Sequence, residues 1–154
     1  MGPLVVLGAY YVMQPDIDAA KGVQLSLLAF PVMWMTAAIL HANNLRDLEA
    51  DKAANKRTLA VRFGRQTARL EYRVLVGLTY VSQIVLVLLG WMPLTTLITF
   101  ITLPEARRLI RVFDSETAVE KLHPAQGQTA RLHGRIGLLL GLGWLAWLLL
   151  DALL

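Results

Sequence analysis

The chain has 154 residues, 56% of them hydrophobic and only 17% charged, with a mean hydropathy of +0.52 and a formal net charge of +4. That balance excludes an ordinary soluble domain, which is less apolar. Cysteine is absent, so there is no disulfide framework or thiolate metal site, and the redox compartment stays open.

Charges are bunched. No Lys, Arg, Asp or Glu occurs in 22–45, 74–104 or 136–150. About 20 apolar residues at ~1.5 Å each cross the hydrocarbon core of a bilayer, so these gaps read as membrane spans. Five helices are expected. The first, Gly2 to about Met13, is half a span and ends at the polar turn QPDID. No basic segment precedes it, as a signal peptide requires, and its abrupt start leads us to expect that the chain begins inside a longer protein. The second runs from about Val23 to Asn44. The third begins near Gln66 and ends at Gly90. The fourth follows Pro93 and reaches about Arg111, and the fifth runs from about Thr129 to Ala152. GWMP between the third and fourth is a tight hairpin with Trp91 at interfacial depth. The stretch 114–128 reads as a connector, or as a short surface helix from Ser115 to Leu122 broken by Pro124.

Basic residues orient this arrangement. Eight (Arg46, Lys52, Lys56, Arg57, Arg62, Arg65, Arg69, Arg73) lie in 43–73 and six (Arg107, Arg108, Arg111, Lys121, Arg131, Arg135) in 105–135, leaving only Lys21 on the other side. By the positive-inside rule both long loops, 43–73 and 105–135, are cytoplasmic and the C-terminus is outside. The fold class is therefore all-α: a polytopic transmembrane bundle of about five helices, one membrane domain over 1–154, in the inner (cytoplasmic) membrane. Topology accounts for the basic charge, and no nucleic-acid motif accompanies it.

The chemistry concentrates in NNLRDLEADKAANKRTLAVRFG, residues 43–64. Asn43, Asp47 and Asp51 recur every fourth residue, one stripe of a helix, with Asn44 beside it. Two carboxylates a turn apart repel unless a cation lies between them. Hard oxygen ligands suit Mg²⁺, which takes one or two carboxylates plus substrate phosphates. Arg46, Lys52, Lys56 and Arg57 stand close by, so the segment is suited to a diphosphate. On spacing alone a charged, solvated helix end remains open; position at the mouth of a membrane bundle favours function. Asn55 reads as a turn residue able to adopt a left-handed conformation.

This segment resembles the second aspartate-rich region of UbiA-type intramembrane aromatic prenyltransferases, most closely the 1,4-dihydroxy-2-naphthoate polyprenyltransferases of menaquinone biosynthesis. GPLVVLGAYYV and QTARLHGRIGLLLGLG are similar to the same group, so the resemblance covers nearly the whole chain. It implies helices five to nine of a nine-helix fold. It also implies Mg²⁺-dependent transfer of a polyprenyl group from its diphosphate to 1,4-dihydroxy-2-naphthoate. By that match Asp47 and Asp51 bind Mg²⁺ and are the catalytic pair, Asn43 and Asn44 line the same mouth, and Arg46, Lys56 and Arg57 face phosphate. The resemblance departs in two places. Asn55 stands where the family usually has Gly, and the first aspartate-rich motif of NDxxD type is missing. Asp16-Ile17-Asp18 does not replace it. A separate N-terminal half is thus an expected partner. Alternatives are another aromatic acceptor (4-hydroxybenzoate or a chlorophyll-type ring) or an inactive truncated remnant. The DGxxAR pattern of diphosphate-alcohol phosphotransferases is absent.

Elsewhere, His41 and His133 are expected to be structural histidines and His123 part of a loop. Gly137-xxx-Gly141 reads as close helix packing. Tyr10, Tyr11 and Tyr72 fit interfacial belt positions or the edge of an acceptor pocket. Phe30, Trp34 and Phe100 suit a prenyl tunnel, lipid contact or bundle packing.

Overall fold

The computed structural model describes residues 2–14 and 18–153, and every regular element in them is helical. In chain order these are α1 (Gly2–Met13), α2 (Ala19–Leu28), α3 (Phe30–Arg46), α4 (Leu48–Ala53), α5 (Leu59–Leu88), a 3₁₀ helix (Leu94–Thr102), α6 (Leu103–Ser115) and α7 (Val119–Asp151). Most of the expected QPDID turn, Pro15 to Ile17, lies outside the described residues. The protein is a polytopic helical membrane bundle in which α3 packs against both α5 and α7.

Local chemistry explains where the observed elements depart from those expected. The second helix starts earlier, at Ala19, because the Asp18 carboxylate accepts the Lys21 N–H at 2.6 Å and caps it. It is then bent by 48° between α2 and α3. Pro31 sits in the first turn of α3, where it lacks an N–H and its ring crowds the carbonyl four residues back. The third helix starts at Leu59, capped by Thr58, whose hydroxyl accepts the Val61 N–H at 3.3 Å. Gly64, at φ 82° and ψ 166°, kinks it, a conformation that glycine adopts without a Cβ penalty.

The expected fourth span divides into the 3₁₀ helix and α6. LTTLITFIT is rich in β-branched residues, which fit an α-helix less well. Residues three apart eclipse in a 3₁₀ helix, so Thr96, Thr99 and Thr102 form one buried column. Their hydroxyls donate to the carbonyls three residues back: Thr96 to Pro93 at 2.6 Å, Thr99 to Thr96 at 3.1 Å and Thr102 to Thr99 at 2.6 Å. The column meets α5, where Thr99 bonds Gln83 and Thr102 bonds the Tyr80 hydroxyl at 2.8 Å. These bonds join elements with their polar atoms satisfied inside an apolar bundle.

The 114–128 stretch is mostly helix. Pro124 lies inside α7 rather than breaking it. Leu122 and Ala125 beside it are buried, and that packing outweighs one missing backbone bond. Among the described residues α5 and α7 qualify by length and hydropathy as membrane spans, and the α2–α3 pair makes a third if the bent pair is one span. That is fewer than the five expected. The 12 residues of α1 extend only ~18 Å at ~1.5 Å each, short of a ~30 Å core.

The core is centred on Met35, Ala38, Ala42 and Leu45 of α3. Ala38 and Ala42 are fully buried, and small residues one turn apart let neighbouring helices approach closely. Tyr72 is fully buried against Phe113, centroids 4.4 Å apart, and bonds Thr129 at 2.9 Å. His133 joins α7 to α3, its Nε2 lying 3.3 Å from the Thr36 hydroxyl. Arg69 donates to the carbonyls of Phe113 at 2.8 Å and Glu116 at 2.9 Å, closing the C-terminus of α6. Arg69→Gln is expected to cost about 1–2 kcal/mol through those charged bonds, while exposed Arg73→Gln stays within about 0.5 kcal/mol. Thermal unfolding in detergent checks this, and equal losses in both variants would contradict it.

Candidate functional site

The 43–57 segment is built by a helix that nearly continues. Asp47 has φ −92° and ψ 7°, which separates α3 from α4. Yet the Asp47 N–H still reaches the Asn43 carbonyl at 2.9 Å, and the Asp51 N–H reaches that of Asp47 at 2.8 Å. The four-residue phase survives the joint, so Asn43, Asp47 and Asp51 follow one another at single turns as expected. Leu48, buried on the other side, anchors the joint.

The chain then reverses at Asn55, whose φ of 53° is left-handed, as its residue type leads one to expect. That turn sends the Lys56 N–H to the Asp51 carbonyl at 2.9 Å and brings Lys56 Nζ to 3.1 Å from Asp51 Oδ1. Asp51 is 7% exposed, whereas Lys56 is on the surface. Asn55→Gly is expected to be tolerated within about 0.5 kcal/mol, and Asn55→Val to cost about 1–2 kcal/mol, because a β-branched residue resists this conformation. Comparing the two melting curves tests the turn; a harmless valine would argue against it.

Asp47 is held differently. Arg46 grips it with a fork, Nε to Oδ1 at 2.7 Å and Nη2 to Oδ2 at 2.6 Å, the strong bidentate geometry of this pair. That hydrogen-bonded guanidinium holds the Asp47 carboxyl below the usual carboxylate range, against the opposing effect of partial burial. A depressed folded-state pKa means that the stabilisation is present above the ordinary carboxylate range and is lost as pH falls through the lowered value. Asp47 is therefore ionised at neutral pH.

Arg46 also reaches across the bundle: Nη1 lies 3.3 Å from Gln126 Oε1 and 3.5 Å from His123 Nδ1. The first turns of α7 thus form a second wall, and His123, expected in a loop, is on a helix beside the site. Gln126 went unnoticed in the sequence and His123 was assigned no part in the site; their spacing of three, one helix face, was the available signal. Arg65, counted there only as a topological charge, ties the site to α5 by bonding the Leu45 carbonyl at 3.3 Å and Glu49 at 3.2 Å.

Not every expected residue converges. Arg57 is exposed and makes no ion pair among the described residues. Asn43 is half-buried on the stripe, while Asn44 lines a cavity with His41 and Glu71. Asp47, Asp51 and Glu49 pair with Arg46, Lys56 and Arg65 respectively, so Lys52 and Arg57 leave the segment with a surplus of positive charge. Among the described residues no three acidic, His or Cys side chains converge as a complete metal centre. Two ionisable oxygen donors a turn apart nonetheless fit the protein's share of a site for Mg²⁺, which takes few carboxylates when a phosphate completes the shell.

Compared with known proteins, residues 1–120 match the model of the UbiA prenyltransferase family. The chain belongs to the UbiA prenyltransferase family. The matched residues hold α1 to α6 and the entire Asp47–Lys56 turn. Similar curated UbiA relatives include a 1,4-dihydroxy-2-naphthoate octaprenyltransferase of Haemophilus influenzae, 32% identical over 94% of this chain and 46% of its own length. One of Bacillus subtilis is 26% identical over 94% of this chain and 45% of its own. The human UbiA prenyltransferase domain-containing protein 1 is 33% identical over 89% and 38% respectively. The chain spans less than half the length of the curated relatives it matches. No solved structure matches it significantly.

Proposed function

We propose that this chain supplies the second aspartate-rich half of a Mg²⁺-dependent site that transfers a polyprenyl group from its diphosphate to 1,4-dihydroxy-2-naphthoate in menaquinone biosynthesis. One observation carries the reading: Asp47 and Asp51 stand one turn apart at the end of an apolar helix, each already paired with a base. Asp47 and Asp51 would hold Mg²⁺, which when bound supplies charge stabilisation to the departing diphosphate. Arg46 and Lys56 are placed to turn from carboxylate to phosphate when a cation takes over the acids. Arg57, exposed and unpaired among the described residues, adds a further positive group at the rim. Asn43 lines the same mouth with a neutral polar group, while Asn44 faces the adjoining cavity between α3 and α5. Gln126 and His123 keep Arg46 oriented from the side of α7.

Fourteen of the fifteen bases lie in 43–73 and 105–135, which supports a single domain in the cytoplasmic membrane with those regions on the cytoplasmic side. The polyprenyl diphosphate and the bilayer then meet at the level of Asp47. An N-terminal half with the first aspartate-rich motif completes the site.

The test is co-expression in membranes with such a half from a 1,4-dihydroxy-2-naphthoate prenyltransferase. Prenylated product from a polyprenyl diphosphate and 1,4-dihydroxy-2-naphthoate, dependent on this chain and on Mg²⁺, is the expected result. Product with 4-hydroxybenzoate alone would overturn the acceptor, and none with any aromatic acceptor would overturn the function.

A further inference from the structure

A groove of ≈ 370 Å³ runs along the seam where α7 packs on the 3₁₀ helix and α6, away from the aspartate pair. One end is apolar, lined by Ile101, Leu138 and Leu139, of which Ile101 and Leu138 are 74% and 64% exposed. The other end is charged: Arg135 Nη1 donates to Glu105 Oε2 at 2.6 Å. This pair marks a boundary. No charged residue occurs in 74–104 or 136–150, so both sides of the seam change from uncharged to charged at the same height. Residues 136–150 of α7 extend ~22 Å at ~1.5 Å each, most of a ~30 Å hydrocarbon core. Glu105 and Arg135 therefore stand at its edge.

Beyond that edge the seam is cationic. Gln128, Arg131 and Arg135 share one face of α7 by their spacing of three and four. Arg108 of α6 meets that face, donating to Gln128 Oε1 at 2.9 Å. The antiparallel register fixed by the Glu105–Arg135 and Arg108–Gln128 contacts sets Arg131 at the level of Arg108. Both arginines are exposed, and neither has an acidic partner among the described residues. Glu105 offsets Arg135 alone, so two positive charges remain at the head of an apolar groove. An anion between them relieves their repulsion, and the guanidinium fork matches the oxygens of a phosphate.

We infer that this seam binds an anionic glycerophospholipid, with the phosphodiester between Arg108 and Arg131 and one acyl chain along Ile101 and Leu138. Basic pockets between membrane helices hold headgroups of this kind. A zwitterionic phospholipid brings its own cation, which the arginines repel. A soluble phosphate makes no use of the apolar end. A prenyl diphosphate bound through Mg²⁺ needs free carboxylates, and Glu105 is committed to Arg135. The lipid site is independent of the prenyl-transfer reading.

The experiment is native mass spectrometry of the full chain in detergent, offered equal amounts of dioleoylphosphatidylglycerol and dioleoylphosphatidylcholine. Each uncompensated arginine near a headgroup contributes about fivefold, so a preference of about twentyfold for phosphatidylglycerol is expected. Arg108→Gln and Arg131→Gln should each lower it about fivefold, and the double variant should bind the two lipids within about twofold of one another. Arg62→Gln, which removes the same charge from α5, should leave the preference within about twofold of the parent. Equal binding of the two lipids by the native chain, or an equal loss in Arg62→Gln, would overturn the site. Displacement of the lipid by sn-glycerol 3-phosphate would reduce it to a soluble-anion site and overturn the acyl seat. A lipid-free dimer, or release of the lipid on adding an N-terminal half, would give the seam to a protein partner and likewise overturn the inference.

Discussion

Asp51→Asn, in an enzyme reassembled from this chain and a complementary N-terminal half, is expected to lower the rate of prenyl transfer by about 10²–10³-fold, the usual cost of removing one group that stabilises charge on a leaving group. Asp51 is the better buried of the two acids and its ion-pair partner is a single surface lysine. Asparagine keeps the shape and removes the charge, so neither a cation nor Lys56 is held at that turn. Asp47→Asn is expected to act on the chemistry by a similar factor, with Arg46 still tethered to Gln126. Glu49→Gln provides the contrast. Its side chain is 71% exposed and bonded only to Arg65, and surface ion pairs of this kind contribute ~1 kcal/mol or less. Its rate should stay within about threefold of the parent. Initial rates at saturating prenyl diphosphate, with each variant's abundance in the membrane measured in parallel, check the series. Full activity in either aspartate variant would falsify the assignment of the metal pair.

The turn that closes this site was legible because each of its steps is local. The acids are spaced by helical phase, Asn55 has a residue type suited to a left-handed φ, and Lys56 follows immediately. All of these are decided within a few residues, and the positions the structure gives them agree. What was not legible depends on partners distant in the chain. Nothing near His123 announces that Arg46 will reach it from 77 residues away, and Pro124 reads as a helix breaker until Leu122 and Ala125 are seen to be buried. The division of the fourth span shows a middle case. The Thr96, Thr99 and Thr102 spacing of three is present in the sequence, but an apolar run with that spacing also fits an α-helix. The column becomes decisive only once Gln83 and Tyr80 of α5 are there to meet it. His41 is the clearest instance at the site itself, since its burial follows from its helix face but its ion pair with Glu71, 2.6 Å away, depends on where α5 packs.

Gly143→Ala is expected to be among the most destabilising single changes available in the bundle, and Gly141→Ala to be neutral or mildly stabilising. The sequence pattern Gly137-xxx-Gly141 pointed to the wrong pair: neither residue has an atom within 4 Å of where a Cβ would stand, because that face of α7 turns away from its neighbours. Gly143 lies on the inner face. A Cβ there would sit 2.6 Å from Thr96 Cα and 2.9 Å from both the Thr95 carbonyl oxygen and the Thr96 nitrogen. These are backbone atoms of the 3₁₀ helix, and they cannot move aside as the end of a side chain can. The same approach lets the Thr95 hydroxyl donate to the Gly143 carbonyl at 2.7 Å, so separating the elements to admit a methyl group also breaks that bond. Overpacking of this kind costs about 1–3 kcal/mol, and the lost bond adds about 1 kcal/mol. At Gly141, by contrast, the methyl meets open space and alanine gains up to about 1 kcal/mol of helix propensity. The two variants should therefore shift the melting temperature in detergent in opposite directions, although they add the same group to the same helix two residues apart. Shifts of the same sign and size would show that α7 does not approach the 3₁₀ helix in this way, and would remove the contact that holds Thr99 and Thr102 against α5.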